Sequence, residues 1–391
     1  MDKVRFGIIG LGNQGGYYAL QLFDAGKIEN GVMTAGCDIN PAKIEHIKKN
    51  TNNRKVQYFN DYKEMLNSGI CDAVIVATPH YLHPEISIHA LEKGLHVICE
   101  KPAGVYTKQV KEMNAVASRS DKLFTMMYNQ RTNPLYIKMH DLVHSGEIGD
   151  IRRVNWIITN WFRTQFYYDS GSWRATWAGE GGGVLMNQCP HQLDLLQWIC
   201  GMMPAKMRAF CHFGKWHDIE VEDDVTAYME FENGATGAFV TCTADTPGTN
   251  RFEIIGSKGK IVCEKDELTV YRTGVELNEF IKTATGGFDE PKYEVEVIKQ
   301  SGDNPQHVGI INNFANAILG IEPLYVDGQE GLKCVELIDS MLLSTWLDKT
   351  VTLPVDDELY WTEIQKRIAT SKIKTSEDVL IDNSMSFGGT K

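Results

Sequence analysis

Residues 4–15 read VRFGIIGLGNQG, and this stretch decides the fold of the first third of the chain. The apolar run at 4–9 has the length of a buried strand, and the residues after the glycines continue as a helical pattern. Gly10, Gly12 and Gly15 stand between the two at the spacing GxGxxG. A glycine turn between a strand and a helix indicates the first unit of a parallel, doubly wound sheet.

The same turn predicts where a ligand binds. Glycines at this spacing allow a tight turn, the close approach of a pyrophosphate and close packing of helix on strand. The amides that open the helix then face the phosphate charge. We therefore assign Gly10, Gly12, Asn13, Gln14 and Gly15 to the binding of a dinucleotide cofactor.

Asp38 ends the next predicted strand, about 20 residues beyond the turn, where a carboxylate accepts hydrogen bonds from ribose hydroxyls. A carboxylate there also repels a 2′-phosphate, and no arginine follows closely, so the sequence favours NAD over NADP. Ile39 follows directly and is assigned to the same site. The alternative is a plain glycine turn followed by an aspartate that caps a helix.

Short apolar runs alternate with helical patterns through the first third of the chain. Strands are predicted at 4–9, 32–37, 73–77, 96–99 and 123–128, and helices at 15–25, 41–50, 61–67, 84–93 and 107–119. This alternation predicts an α/β fold, a doubly wound parallel sheet with helices on both faces.

From residue 129 the pattern changes to strands joined by turns, with fewer helices. Helices are predicted at 134–145, 183–200, 308–319 and 330–347, and strands at 151–159, 225–231, 235–241, 251–255 and 260–263. The pair Asn233-Gly234 is a strong hairpin signal. We predict an NAD-binding domain over 1–128, an α+β open-sheet domain for substrate binding and oligomerisation over 129–373, and a polar tail over 374–391.

The bulk composition argues against several kinds of partner. The 391 residues carry a formal net charge of −12, which argues against binding to nucleic acid or to an anionic membrane surface. No stretch approaches the roughly 20 apolar residues of a membrane helix. Nine scattered cysteines without a CxxC pair predict reduced core thiols in a cytoplasmic protein. No His/Cys pair has ligand spacing, so no metal site is predicted.

Several motifs beyond the glycine turn resemble the glucose–fructose oxidoreductase / inositol dehydrogenase (Gfo/Idh/MocA) family. They are ATPHYLH at 77–83, GLHVICEKP at 94–102, NQR at 129–131, GEIG at 146–149, and GGG at 181–183 leading to His191. The resemblance covers roughly residues 4 to 350. It implies a Rossmann domain joined to an open-sheet domain, NAD(P) chemistry on sugars or cyclitols, and homodimers or homotetramers. It extends the cofactor contacts to Thr78, Pro79, His80, His83, Glu100, Lys101 and Asn129.

Two residues are assigned to catalysis. Lys101 ends a parallel strand, where ligands of open α/β sheets bind and where an ammonium stabilises a developing alkoxide. His191 has a usual pKa of roughly 6.5 and suits proton transfer, and the resemblance implies a catalytic histidine at this position. The alternatives are a surface lysine before a proline and a histidine that only packs.

Asn187 departs from the pattern, because many relatives carry an aspartate four residues before the histidine. An amide binds a substrate hydroxyl but takes up no proton, so we assign Asn187 to substrate binding. If 183–200 is one helix, then Asn187, His191, Asp194 and Trp198 share a stripe. On that stripe Asp194 either orients the His191 ring or lies at the helix surface.

The segment 160–182 is rich in aromatic residues and arginine, which suit the face and the hydroxyls of a sugar. The substrate residues assigned from this segment and from a later loop are Arg163, Tyr167, Tyr168, Trp173, Arg174 and His217. The alternative is packing at a domain or subunit contact. The acidic run 220–224 is interpreted as a solvated edge.

These assignments predict an NAD-dependent oxidoreductase that oxidises a secondary hydroxyl of a sugar, cyclitol or glycoside, or reduces the keto form. His191 takes the hydroxyl proton, and Lys101 stabilises the alkoxide. Two alternatives stay open. One is a glycosidase or lyase-like enzyme that oxidises a ring carbon transiently with NAD, and the other is a non-catalytic regulator that senses NAD.

Overall fold

The computed structural model describes residues 3–372 and 374, and the first of its two sheets is fully parallel. Its strands are β1 (Val4–Ile9), β2 (Gly31–Cys37), β3 (Gln57–Phe59), β4 (Ala73–Val76), β5 (His96–Cys99) and β6 (Phe124–Met126). Their spatial order is β3-β2-β1-β4-β5-β6. The connections therefore run in opposite directions from β1 and from β4, which opens a crevice at the carboxyl ends of these two strands.

Helices connect these strands on both faces, so the predicted doubly wound sheet is confirmed. They are α1 (Asn13–Tyr17), which continues as a π-helix over Tyr18–Phe23, α2 (Pro41–Asn50), α3 (Tyr62–Asn67), α4 (Leu82–Glu92) and α5 (Thr107–Ala117). Capping side chains fix two of the starts, because Asn40 accepts from the Ala42 N–H and Asp61 from the Lys63 N–H. The three-residue β3 was not predicted, since its side chains are only partly buried.

A short 3-10 turn (Asn129–Thr132) and α6 (Pro134–His144) lead into the second sheet. Its strands are β7 (Ile151–Ile158), β8 (Lys206–Phe213), β9 (Glu222–Glu230), β10 (Thr236–Cys242), β11 (Asn250–Gly256), β12 (Gly259–Glu264), β13 (Glu267–Arg272), β14 (Glu294–Lys299) and β15 (Val351–Thr352). They lie in the order β14-β13-β12-β11-β7-β10-β9-β8-β15. All pairs are antiparallel except β7 with β10, so the predicted α+β domain with a mostly antiparallel sheet is confirmed.

The remaining helices are α7 (Gln165–Asp169), α8 (Val184–Asn187), α9 (Pro190–Cys200), α10 (Leu277–Thr283), α11 (Gln306–Ile318), α12 (Gly331–Trp346) and α13 (Asp357–Ile368). The prediction of a single helix over 183–200 is wrong, because the helix is interrupted between α8 and α9. Pro190 has no N–H to donate and disfavours helical backbone at Cys189, which takes φ −92° and ψ 0°. Asn187 and His191 therefore lie on different helices.

The late helices pack back on the first sheet. The Thr107 N–H at the start of α5 donates to Asp339 Oδ2 on α12 over 2.9 Å. The Thr125 hydroxyl on β6 donates to the Val326 carbonyl over 2.7 Å. A late segment of the chain thus covers the sheet that its first third forms.

All nine cysteines lie within the described residues, and each is a buried free thiol, as predicted. In the same residues, no helix has the length and hydropathy needed to cross a membrane. Among residues 3–372 and 374, no group of three or more His, Cys, Asp or Glu side chains is arranged to hold a metal ion. The predicted tail over 374–391 lies, apart from its first residue, outside the described part of the chain.

Candidate active site

The glycine turn is packed so closely that side chains are excluded. A Cβ on Gly10, whose φ is +91°, would lie 2.4 Å from the Ala77 carbonyl oxygen. A Cβ on Gly15 would lie 1.8 Å from the Gly10 oxygen. Gly12 is roomier, since the nearest atom to its Cβ would be Lys43 Nζ at 3.9 Å. The turn between β1 and α1 therefore has the tight geometry that a pyrophosphate-binding loop needs.

Asp38 lies buried at the end of β2, beside this turn. Its Oδ2 accepts from the Leu11 N–H and its Oδ1 from the Asn40 N–H, each over 2.8 Å. The carboxylate thus fixes the glycine turn and the start of α2, and each oxygen keeps a second lone pair for a ligand. Ile39 beside it is 88% exposed and offers an apolar surface at the same edge.

The loop after β4 is tied to the loop after β5. The His83 ring contacts the Pro102 carbonyl through Nδ1 and the Thr78 carbonyl through Nε2, each at 2.7 Å. Both ring nitrogens face backbone, so the predicted cofactor residue His83 holds the two loops together. His80 Nδ1 lies 3.1 Å from the Glu180 carbonyl oxygen and turns toward the second domain.

Glu100 and Lys101 end β5 side by side. The buried Glu100 carboxylate accepts from the Tyr18 hydroxyl and, over 3.1 Å, from the Lys101 N–H. Lys101 Nζ donates to the Asn187 carbonyl over 2.8 Å, which joins the first sheet to the end of α8. Burial lowers the pKa of Lys101, while the charges of Glu100 and Glu180 oppose that shift.

His191 is the second residue of α9, next to this lysine, and is partly exposed. Its Nδ1 is buried without a hydrogen-bond partner among the described residues. Burial, and then the charges of Lys101 and His307, hold the pKa of His191 well below its usual 6.5. The expectation of an ordinary histidine pKa is therefore wrong, since an imidazolium here would be desolvated beside an ammonium.

Asp194 does not orient this histidine. Its carboxylate is fully buried and accepts two hydrogen bonds from the Arg131 guanidinium, from Nε over 2.8 Å and from Nη2 over 2.6 Å. Both expectations for Asp194, ring orientation and a position at the helix surface, are wrong. His191 and Asp194 still share α9, but the Asp194 carboxylate is taken up by the Arg131 guanidinium, so it is not available to the His191 ring.

Part of the aromatic segment 160–182 lies beside Lys101. Arg174 Nη1 donates to the Tyr167 hydroxyl over 2.9 Å, and its guanidinium lies 4.7 Å from the Tyr167 and Trp173 ring centroids. The Trp173 ring meets His80 edge-on at 5.6 Å. Gln188 Nε2 also donates to the Tyr167 hydroxyl, over 3.1 Å. Aromatic faces and polar groups are thus assembled beside Lys101.

Other predicted substrate residues support the loops. The Tyr168 hydroxyl is buried and donates to Thr243 over 2.8 Å. The His217 ring lies between Asp223 Oδ2 at 3.0 Å and the Arg163 carbonyl at 2.9 Å, so its two nitrogens face protein atoms. The Arg163 guanidinium lies 5.0 Å from the Tyr167 ring centroid. These contacts join the segment 160–169 to the loop before β9.

The acidic run 220–224 is not a solvated edge, because two of its members are fully buried. Glu222 Oε1 accepts from the Gly183 N–H over 2.8 Å and from the Leu185 N–H over 3.0 Å. Asp223 accepts from the backbone N–H of three consecutive residues, Lys215 to His217. Both carboxylates hold backbone that surrounds the site.

Sequence reasoning missed two residues of this site. Glu180 lies directly before the glycine triplet, is 2% exposed and is one of the charges nearest Lys101. His307 is the second residue of α11 and contacts Gln14 of the glycine turn at 3.3 Å. Burial and the charge of Lys101 lower its pKa to about 3. The glycine triplet marked the first position, but nothing in the sequence links His307 to residues almost 300 positions earlier.

Two family models match the chain. The model of the oxidoreductase family with an NAD-binding Rossmann fold matches residues 4–128. The model of the GFO/IDH/MocA C-terminal domain matches residues 136–262. Together the two matches cover more than half of the 391 residues.

Curated relatives are similar at moderate identity. The levoglucosan dehydrogenase of Pseudarthrobacter phenanthrenivorans is 27% identical over 244 residues, or 54% of this chain and 60% of that protein. The trans-1,2-dihydrobenzene-1,2-diol dehydrogenase of Mus musculus is 29% identical over 266 residues, or 67% of this chain and 75% of that protein. For several curated relatives the match spans only 50 to 60% of their length.

A solved structure is similar over almost the whole length. The WlbA dehydrogenase from Chromobacterium violaceum, in complex with NADH and UDP-GlcNAcA, superposes with a TM-score of 0.75 at 27% sequence identity. The superposition covers 91% of this chain and 97% of that one.

Proposed function

Because the chain belongs to the Gfo/Idh/MocA oxidoreductase family, we propose that it is a dehydrogenase that uses NAD to oxidise a secondary hydroxyl of a sugar-like substrate, or to reduce the keto form. Relatives named as dehydrogenases of levoglucosan and of a cyclic diol support a polyhydroxylated substrate. The observation that carries the proposal is the bond from Lys101 Nζ to the Asn187 carbonyl, 2.8 Å long. It brings the end of the first sheet to the helix pair that bears His191.

The residues present fit a bound dinucleotide. The glycine turn leaves no room for a Cβ at Gly10 or Gly15, so its backbone is free to approach a phosphate. Asp38 would hold the adenosine ribose. The Gln14 side chain of the glycine turn contacts His307, which lies close enough to Lys101 to be affected by its charge. When bound, NAD supplies the hydride acceptor or donor.

The chain's own residues then supply positioning and proton transfer. Lys101 directs an ammonium at the substrate oxygen, where it stabilises the charge that develops as the hydroxyl loses its proton. His191 takes that proton as a neutral imidazole. Tyr167, Trp173 and Arg174 would bind the remaining hydroxyls and ring faces.

The decisive experiment is a screen of NAD reduction by the purified protein with free sugars, cyclitols and glycosides. Net formation of NADH with one substrate class supports the dehydrogenase. Release of product without net NADH points instead to the glycosidase or lyase-like reaction. Binding of NAD without turnover of any compound points to a sensor. Either of the last two results would contradict the proposal.

We also propose the finer expectations about the molecule in the cell. The homo-oligomer is supported by apolar side chains on the outer face of the second sheet, where Phe210 is 52% exposed. A cytoplasmic location is supported by nine free thiols. A division between the domains near residue 128 is supported by the family matches, which end at 128 and resume at 136.

A further inference from the structure

Glu180 is a buried carboxylate with two fixed hydrogen bonds. Burial raises its pKa, whereas the Arg174 charge, these two hydrogen bonds and the Lys101 charge favour the ionised form. The Ala175 N–H donates to Oε2 over 2.6 Å, and the Asn187 side-chain amide donates to Oε1. Ala175 has φ +54°, a left-handed backbone that a residue with a Cβ adopts only when its surroundings hold it there. The backbone of this turn therefore serves to aim an N–H at the carboxylate.

Asn187 is engaged through both ends of its amide. Its Nδ2 donates to Glu180, and its Oδ1 accepts from the Tyr167 hydroxyl and from Gln188 Nε2, each over 3.3 Å. Its backbone carbonyl accepts from Lys101 Nζ over 2.8 Å. Asn187 therefore connects Glu180 with Lys101, and its side chain is already oriented in the absence of a substrate.

The charges around Lys101 come from several elements. Burial and the Arg174 guanidinium disfavour its ammonium form, whereas the carboxylates of Glu100 and Glu180 favour it. The Cys334 thiol is also nearby, and burial raises its pKa. Burial lowers the pKa of four nearby histidines, and the charge of Lys101 contributes to each shift. They are His80, His83, His191 and His307. Glu100 is held on the other side by Tyr18. Glu180 is thus the carboxylate that acts from the side of Asn187.

We propose that Glu180 is a positioning residue, whose carboxylate orients the Asn187 amide and keeps the Lys101 ammonium charged. The negative charge of this site accordingly lies at position 180 and not at position 187. The catalytic meaning of this inference rests on the proposed function, whereas its electrostatic part does not.

The proposal predicts that Asn187→Asp is harmful in this chain. An aspartate at 187 would face the Glu180 carboxylate, which now accepts from the amide. Two carboxylates that share a site cannot both ionise readily. Asn187→Asp should therefore be harmful by itself and tolerated together with Glu180→Gln, which keeps one negative charge in the pair.

The first measurement is the pKa of Lys101 in the full-length protein without NAD. Competitive labelling with acetic anhydride over a pH series, read by mass spectrometry of the Lys101 peptide, gives this pKa without any turnover. Glu180→Gln should lower it by about one unit, the smaller end of the effect of a nearby opposite charge. Glu180→Gln combined with Asn187→Asp should return it close to the wild-type value.

Glu336→Gln is the matched control. Glu336 is also a buried carboxylate that accepts a backbone N–H, from Val355 over 2.8 Å, and burial raises its pKa. The charges that act on it are those of Lys111 and Asp357. We expect this variant to leave both the Lys101 pKa and turnover unchanged.

The second measurement is turnover with NAD and the substrate found by the screen. Glu180→Gln and Asn187→Asp should each lose at least about tenfold, and the double variant should regain most of that loss. Circular dichroism confirms folding of each variant. If Glu180→Gln does not fold, Asn187→Asp serves instead, because a second carboxylate should add a new ionisation to the Lys101 labelling profile.

A folded Glu180→Gln with the Lys101 pKa of the wild type would overturn the proposal, whatever its turnover. A labelling profile of Asn187→Asp identical to the wild type would also overturn it. If the wild type oxidises no sugar-like compound, the proposed function fails, while the labelling result still decides the role of Glu180.

Discussion

His191 illustrates what a single side chain contributes at the residue scale. The sequence identified it and supplied its usual pKa, but the shift depends on Lys101 and His307, which reach it from other elements. A depressed pKa keeps the imidazole neutral and able to accept a proton to lower pH than a free histidine would. The same shift makes it a weaker base, so catalysis relies more on the charge of Lys101.

We therefore predict that kcat/KM of the wild type falls only well below pH 6.5, because His191 stays unprotonated down to its lowered pKa. His191→Ala should reduce kcat by about 10²- to 10⁴-fold and remove this acidic limb. His46→Ala, on the exposed surface of α2, serves as the control and should match the wild type. A pH–rate profile with its acidic midpoint at 6.5 would contradict the shift.

Lys101→Ala should separate binding from turnover. We expect the glycine turn and Asp38 to hold most of the cofactor, whereas the contribution of the lysine should be largest when the alkoxide forms. We expect kcat to fall strongly, while the Kd for NAD, measured by calorimetry or fluorescence, stays nearly unchanged. A large rise in that Kd with kcat intact would assign Lys101 to cofactor binding alone.

We expect Asp38 to set the choice of cofactor through its charge. The wild type should prefer NAD, and Asp38→Asn should narrow the preference, because a neutral amide no longer repels a 2′-phosphate. The amide is a matched change, since its oxygen still accepts one of the two N–H bonds that Asp38 now receives. Steady-state kinetics with both cofactors decide this, and a wild type that prefers NADP by tenfold, about 1.4 kcal/mol, would refute it.

At the scale of elements, local pattern predicted most of the first domain. Strands β1 and β5 and helix α2 begin and end at the predicted residues, because each is a short apolar or amphipathic run with a clear stop. The break between α8 and α9 was missed, although Pro190 is visible in the sequence, because apolar residues at helical spacing continue on both sides of it. Strand β8 was also missed, although its buried residues alternate with outward-facing ones, because the outward-facing set mixes the apolar Phe210 with charged residues.

The site depended on tertiary contacts in the same way. Lys101 and His191 were recognisable from motifs, whereas Glu180 and His307 owe their place to the folding of distant segments onto β5 and the glycine turn. A buried carboxylate looks like a solvated one in sequence, which is why Glu222 was assigned to a surface edge.

Glu222 leads to a prediction about stability. Its carboxylate accepts hydrogen bonds from the Gly183 and Leu185 N–H groups at the start of α8, and burial raises its pKa from 4.5 to about 7. A carboxylate with a raised folded-state pKa gives stability that is complete below its unfolded-state pKa and is lost as the pH rises through 7. The shift corresponds to at most about 3 kcal/mol. Glu222→Gln keeps an acceptor for both N–H groups and should raise the free energy of unfolding at pH 8 but not at pH 4.

Urea unfolding of the wild type and Glu222→Gln at the two pH values measures this difference. Glu253→Gln, at a partly exposed glutamate on β11, is the control and should show no comparable pH dependence. An equal effect of Glu222→Gln at both pH values would show that its charge is not the cause.

At the scale of the whole molecule, the outer face of the second sheet predicts self-association. Phe210, Thr226, Val240 and Ile157 are cross-strand neighbours in one row, and Phe210 and Ile157 are 52% and 41% exposed. Phe210→Lys with Ile157→Lys should dissociate the oligomer, because it places two charges in the row. Ile321→Lys, at a 63% exposed isoleucine outside the sheet, should not.

Light scattering at micromolar concentration measures this outcome. We expect a multiple of 44.0 kDa for the wild type and for the Ile321→Lys control, and a smaller mass for the double variant. A wild type that scatters only as a 44.0 kDa monomer would contradict the prediction.

The return of α11 and α12 to the first sheet has a consequence for recombination between related enzymes. The Thr125 hydroxyl on β6 and the Thr107 N–H at the start of α5 donate hydrogen bonds to acceptors that lie some 200 residues later in the sequence. A gene fragment that stops at residue 128 would leave these groups, and the β6 side chain of Phe124, facing water. We therefore expect that residues 1–128 do not fold stably when they are transferred alone. A chimera of two related enzymes should take residues 306–346 from the same parent as residues 1–128.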